Sequence, residues 1–509
     1  MKNLFSQACS LLLCVGPWSQ TALFAESQPA LEHVLVSVPL HRTEAETALP
    51  VTILTGAELQ QRVAGTIGET LNYAPGLSSS SFGPAVGQPV IRGQQGARVT
   101  VLSNSTSSAD ASNISADHAV SVEPVLAESI EVLRGPSTLL YGGGAIGGVV
   151  NVIDQRIPVA VPEAVTGAME LRHGSVNDEN TAVFKVLTGS DNIAFYVDGM
   201  YRDSNDLEIS GAAHADAEHD ADEVTGFIAN TDAQTHAFTS GASYIFENGF
   251  IGIAVSRLKN QYGIPAGAHE HEHEDEHEDE YEEEETVRID LEQTRYDLRA
   301  DYHPQSTLID QLRWYSTYSD YKHDELEGGE VGTRWRNDSW ENRVEVLHQP
   351  VAGWHGVVGL QTKNTDFSAV GDESYIPETT IKNYGFFMVE DFHRGDWLYE
   401  LGARVDYEKL SPEGEAEQSF NSVSLSASAL WQISTQWSLG VALSQSERAP
   451  VVEELYSNSA NMLGGYIEHV ATGSIEVGDA QLQREQANNI DLTLNYKIRC
   501  DRCVLNIVL

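Results

Sequence analysis

The chain is expected to be mainly β: a transmembrane antiparallel β-barrel behind a smaller N-terminal α+β domain. Three features carry that expectation. From about Thr166 onward, segments of roughly ten residues alternate apolar and polar side chains. The connections alternate between short turns, such as Asp191-Asn192 and Glu247-Asn248-Gly249, and long polar excursions at 203–234, 259–292 and 447–487. After the N-terminus, no stretch approaches the ~18 unbroken apolar residues of a spanning helix, a test that barrel strands escape.

The alternation is clearest where Val423, Leu425, Ala427, Ala429 and Trp431 share one face and Ser422, Ser424, Ser426 and Ser428 the other. It recurs in Trp437, Leu439, Val441 and Leu443 against Gln436, Ser438 and Ser444. It recurs again in Ile490, Leu492, Leu494 and Tyr496 against Asn489, Asp491, Thr493 and Asn495. One face suits lipid and the other water, and aromatics at segment ends fit interfacial girdles. About fourteen strands can be placed, near 166–173, 180–189, 192–201, 235–246, 249–258, 293–303, 308–320, 340–349, 354–364, 383–392, 396–408, 421–432, 436–446 and 488–497. A soluble β-sandwich or propeller is the alternative, and it accounts poorly for so many long strands with Ser and Asn opposite Leu and Val.

The N-terminus fits export. Lys2, an apolar run from Leu11 to Val15 and Ala22-Leu-Phe-Ala25 before Glu26 read as a signal peptide over residues 1–25. Leu11-Leu-Leu-Cys14 lacks the small residue that a lipoprotein signal places before its cysteine. Cys9 and Cys14 leave with the signal. Cys500 and Cys503 form an isolated C-x-x-C with no second pair, so cysteine chemistry assigns nothing. Lys and Arg number 30 against 75 Asp and Glu, a net charge of -45, which excludes nucleic-acid binding and suits cations.

Residues 49–160 hold short mixed elements and many tight-turn glycines, among them Gly93, Gly96, Gly135, Gly142, Gly143, Gly144, Gly147 and Gly148. Within them lie Asn72-Tyr-Ala-Pro-Gly76, Val90-Ile-Arg-Gly93, Ile130-Glu-Val-Leu-Arg-Gly-Pro-Ser137, Leu140-Tyr-Gly-Gly-Gly144 and Gly147-Gly-Val-Val-Asn-Val-Ile153. This ordered set, followed by barrel strands, resembles the plug of TonB-dependent outer-membrane receptors. The resemblance implies a plug domain over 49–160, a 22-stranded barrel of which 161–497 supplies part, and a location in the outer membrane of a Gram-negative bacterium. It implies outer-membrane lipid and the TonB-ExbB-ExbD energy-transducing complex as partners, and no enzymatic activity or catalytic cofactor. Arg92 and Arg134 stand where such plugs place arginines that pair with carboxylates of the barrel wall. In the segment 26–48, His33, Val34, Leu35, Val36, Ser37 and Val38 resemble a TonB box, which binds its partner by strand addition. A first strand of the plug would look similar.

One loop is unusual. From Ala268 to Glu285 it alternates imidazole and carboxylate with no basic residue, through His269, His271, His273 and His277. A second cluster holds His214, Asp216, Glu218, His219, Asp220 and Asp222. Imidazole suits zinc, copper and nickel, and carboxylates add harder ligands and negative potential, so these loops read as a capture device without fixed geometry. A solvated acidic loop with incidental histidines is the plainer alternative. The whole pattern, from about residue 30 to 497, is similar to the zinc-uptake (ZnuD-type) branch of the family. That likeness implies zinc as the transported ligand and a defined site. Its plug pair would be Asp117 and His118 in Ser115-Ala-Asp-His-Ala-Val120. Its barrel members would be Glu325 in Asp320-Tyr-Lys-His-Asp-Glu325 and His469 in His469-Val-Ala-Thr472. Two carboxylates and two imidazoles make a neutral tetrahedral zinc set.

Residues 498–509 break the strand pattern, with no clean alternation and no terminal aromatic, and read as an aberrant tail at a truncated end. Two rival readings stay open. One is a haem or siderophore receptor of the same fold, and the other is a truncated product without function. The capture reading predicts that deleting residues 268–285 removes several weakly bound zinc ions per chain in equilibrium dialysis and leaves the tightest ion bound. Equal zinc content at millimolar metal would refute it.

Overall fold

The computed structural model describes residues 50–142, 145–213, 225–265, 286–372, 374–459, 465–497 and 504–508. The residues read as a signal peptide and a TonB box, and those read as a capture device, His214, His219, His269, His271, His273 and His277, lie outside them.

Among the described residues the barrel wall is one antiparallel sheet of fifteen strands, each paired with the next wall strand along the chain, from Thr166–Gly174 at one edge to Val504–Val508 at the other. Fourteen of these strands match the segments expected from periodicity. The fifteenth comes from the tail, where Val504–Val508 pairs with Thr493–Lys497. Alternation sets the faces. Leu425 is 51% exposed and Ile490 76%, whereas Ser424 and Asp491 are 3% and 2% exposed. Outward aromatics form two belts. Tyr296 stacks with Tyr318, and Tyr384 with Tyr407, toward the long loops; Trp397 stacks with Trp431, and Trp437 packs on Tyr496, beside the short turns. Tyr399, stacked on Trp397, and Tyr407 lie on one strand and stand ~26 Å apart along it, or ~20 Å after a tilt of ~40°, close to the apolar band of such barrels.

Several strands run further than expected. Gly249–Gly263, Val287–Tyr302, Ile309–Glu327 and Glu330–His348 continue beyond the outer belt, shortening the loop expected over 259–292. There the outward positions are Asp320, Lys322, Arg334 and Arg336. These charges end the apolar signal, but the backbone ladder does not depend on them, so the hydrogen bonding continues into the external space. The excursion at 203–234 contains a small two-stranded sheet, Leu207–Ala212 with Thr225–Ile228, and the excursion at 447–487 contains the short helix Val452–Tyr456.

The N-terminal domain lies against the inward face of the wall. Its five-stranded sheet runs in the order Val51–Thr55, Ser129–Leu133, Gly148–Ile153, Val99–Ser103, Thr106–Ser107, with one parallel pair, Val99–Ser103 beside Gly148–Ile153. Helices Gly56–Arg62 and Ile67–Leu71 and the hairpin Leu77–Ser81/Gly87–Ile91 complete it. Leu54, Ile67, Leu71, Ile91, Ile130, Val132 and Val150 form its own core. A second cluster, in which Leu139, Leu140 and Tyr141 meet Leu347, Val357 and Phe387, belongs to the domain and the wall together.

Arg92 reaches Asp491 of the wall at 2.7 Å, while Arg134 bonds Thr52 and the Pro75 carbonyl inside its own domain. Gly135 (φ +59°) abuts the same aspartate, where a Cβ would stand 2.5 Å from Asp491 Oδ2. Gly135→Val combines a left-handed backbone with this close approach. It is expected to cost about 1–3 kcal/mol and to lower the midpoint of thermal unfolding in detergent. An unchanged midpoint would show that the junction does not depend on this approach.

Candidate metal centre

The apical loop of the N-terminal domain, residues 104–121, carries Asp117 and His118 toward the wall, and its shape is fixed by polar side chains. Asp110 accepts from Ser112 N (3.1 Å) and Ser121 N (2.9 Å), tying the two limbs together. Gln88, buried on the strand Gly87–Ile91, donates its side-chain amide to the carbonyl oxygens of Ser112 (2.9 Å), Ser115 (2.7 Å) and His118 (3.0 Å). From the wall, Asn337 donates to Asp110 O at 2.8 Å, and the Tyr262 hydroxyl accepts from Ala119 N at 3.0 Å. Asn104, Ser105 and Ala109 hold positive φ without being glycine, a strain of ~1–2 kcal/mol per residue that these contacts sustain.

Asp117, His118, Glu325 and His469 come together. One ligand atom from each lies within 4.8 Å of the others, and all four residues are buried. Their sources are distant in sequence: two from the apical loop, Glu325 from the strand Ile309–Glu327, and His469 from a turn in the 447–487 excursion that is closed by its own bridge to Ser474. His118 Nε2 stands 3.0 Å from Glu325 Oε1 and 3.7 Å from Asp117 Oδ2, and His469 Nε2 stands 3.6 Å from Asp117 Oδ2.

The far side of each imidazole is held. His118 Nδ1 donates to Ala111 O at 3.1 Å, which orients the ring so that Nε2 faces the two carboxylates. His469 Nδ1 lies 3.2 Å from the Tyr375 hydroxyl and 3.4 Å from Ser115 Oγ. Asp117 Oδ1 accepts from Ser115 Oγ. Asp117 Oδ2 and Glu325 Oε2 are buried with no hydrogen-bond donor. Such atoms carry a desolvation cost unless a cation meets them. Burial alone would raise the Asp117 carboxyl, but the imidazoles of His118 and His469 hold it well below the usual carboxylate range. Burial likewise opposes charge on His118 and His469, and Asp117 and Glu325 outweigh it, raising both imidazoles. The site therefore stores matched charge, and a cation binding there would displace protons.

The structure adds residues that sequence reasoning did not single out. Tyr321 and His323 precede Glu325 at the spacing of two that puts them on its inward face, a signal available in the sequence. Both are fully buried, as is Trp335, whose ring stacks on His323 and meets His118 edge-on at 5.1 Å. Tyr375 and Gln88 reach the site from elsewhere in the chain and carried no such signal. Gln88→Leu leaves three loop carbonyls without this donor, at about 1–3 kcal/mol. It is expected to speed amide hydrogen exchange across residues 110–119, read by mass spectrometry, and unchanged exchange would show that the loop is held by other contacts.

A family model described as the TonB-dependent Receptor Plug Domain matches residues 43–149, and one described as TonB dependent receptor-like, beta-barrel matches residues 189–502. A hemin receptor of Yersinia pestis is 31% identical over 148 residues, 28% of this chain and 21% of that receptor. A ferrioxamine receptor of Yersinia enterocolitica is 29% identical over 165 residues, 32% of this chain and 22% of the receptor. The matched stretches thus span about a fifth of the length of these curated relatives. Among solved structures, the copper transporter OprC superposes with a TM-score of 0.70 at 15% identity, over 88% of this chain and 70% of that one. The Serratia marcescens hemophore receptor HasR superposes with 0.71 at 13%, over 89% and 70%. At these identities the likeness shows the fold.

Proposed function

The chain belongs to the TonB-dependent receptors, Gram-negative outer-membrane proteins that are not enzymes, and from that premise we propose that it admits a divalent transition-metal cation, zinc before others. The convergence of Asp117, His118, Glu325 and His469 on one buried point carries the reading. Two imidazole nitrogens and two carboxylates neutralise a dication and match zinc's preference for four nitrogen and oxygen donors. The His- and acid-rich segments at 214–222 and 268–285 would raise the local cation concentration outside the site.

Two of the donors belong to the plug and two to the wall or its outer loop. A pull on the plug through residues 33–38, delivered by a TonB-ExbB-ExbD complex, would separate the pairs and release the ion inward. The relatives named for hemin and ferrioxamine support a second reading, in which the cargo is haem or a ferric siderophore. A flat macrocycle needs an apolar slot of several hundred cubic ångströms, whereas these donors lie within 4.8 Å of one another beside Trp335.

Calorimetric zinc titration of the purified receptor is expected to show one tight ion, with affinity falling at least ~100-fold in Asp117→Asn and His118→Ala. Haem and ferric siderophore titrated in parallel are expected to leave the zinc isotherm unchanged. Tight haem binding with no tight zinc would install the second reading instead.

A further inference from the structure

We infer that Asn458 is a positioning residue for His469, the outer-loop counterpart of Gln88 in the plug; the inference rests on the cation reading above. His469 rides on a turn closed by its bridge to Ser474, and Ile467 and Glu476 stand two residues outside that bridge on either side. One buried amide holds both limbs. Asn458 Nδ2 donates to Ile467 O at 2.9 Å and to Glu476 O at 2.7 Å, while Asn458 Oδ1 accepts from Ile467 N at 2.8 Å. The side chain thus places both its N–H groups and its oxygen on a single turn. Its partners are two carbonyls and one N–H, so only this orientation of the amide fits them.

Asparagine meets two demands that the position makes together. The backbone there is left-handed, with φ +55°, and the residue is 1% exposed. Asparagine and aspartate enter this conformation more readily than most L residues, and of the two only asparagine carries hydrogens for the carbonyls. The Asn458 backbone N–H donates to Tyr375 O at 2.7 Å, and the Tyr375 hydroxyl stands 3.2 Å from His469 Nδ1. Asn458 therefore fixes the main chain of the turn and also that of the tyrosine beside the imidazole.

The clamp is itself anchored. Asn458 follows the helix Val452–Tyr456 by two residues, and Arg448 donates to Glu454 of that helix at 2.6 and 2.8 Å. Arg448 also donates to Glu485 of the wall at 2.8 Å, and Arg98 of the plug donates to the same carboxylate at 2.9 Å. The outer-loop donor is thereby referred to the plug through contacts that need no ion. The 3.6 Å separation of His469 Nε2 from Asp117 Oδ2 is set before a cation arrives, which is the preorganisation that tight binding requires.

The test uses the full chain in detergent. Asn458→Asp keeps the shape of the side chain and removes both donations; Asn458→Gly keeps the left-handed backbone and removes the clamp, and it carries the comparison should the aspartate variant fail to fold. In metal-free protein both are expected to speed amide hydrogen exchange across residues 466–476, read by mass spectrometry. Zinc affinity, read by calorimetry, is expected to fall ~10–100-fold. In a His469→Ala background the same substitutions are expected to change zinc affinity by no more than about 2-fold, because the donor they position is gone. Exchange as slow as in wild type, unchanged zinc affinity, or an equal loss with and without His469 overturns this inference and leaves the cation reading standing. No tight zinc binding by wild type, or binding indifferent to Asp117→Asn, overturns both.

Discussion

The structure depends on one constraint: a strand in the wall shows lipid one face and hides the other, so every second side chain is polar and shielded from bulk water. Those inward groups must find partners, and the wall provides many of them by placing an arginine two residues before an acid. Arg295 with Asp297, Arg343 with Glu345 and Arg404 with Asp406 repeat the device on three strands. Each also donates to the plug, with Arg295 bonding the Ser107 carbonyl and both Arg343 and Arg404 bonding that of Leu140. Wall and plug thus satisfy one another.

At the candidate metal centre the same geometry gives a different balance. The inward pair at this spacing is His323 and Glu325, and the plug presents a carboxylate and an imidazole instead of a carbonyl. The balance leaves Asp117 Oδ2 and Glu325 Oε2 without a hydrogen bond. A cation answers that imbalance more completely than water or a neutral ligand, because it meets several lone pairs at once.

Much of this was legible in the sequence, for a physical reason. Side-chain alternation is local, so Val423 to Trp431 announce their strand and its faces without knowledge of any neighbour. Strand ends were less legible, because Asp320, Lys322, Arg334 and Arg336 erase the apolar signal where the ladder continues. The short helix Val452–Tyr456 and the Tyr375 hydroxyl beside His469 depend on how the outer loops fold together, which no local pattern encodes. Asp117, His118, Glu325 and His469 came from motif likeness. His323 carries only the signal of its spacing from Glu325, and a histidine in a charged strand segment reads as a surface residue until the wall's outward and inward positions are known.

Gln88 gives the plug a property that its sheet alone would not. One amide nitrogen is shared among the carbonyls of Ser112, Ser115 and His118, so the apical loop has no independent travel relative to the strand Gly87–Ile91. Mechanically, the hairpin and the loop are a single rigid link. A displacement of that hairpin would carry the loop, with Asp117 and His118, along with it.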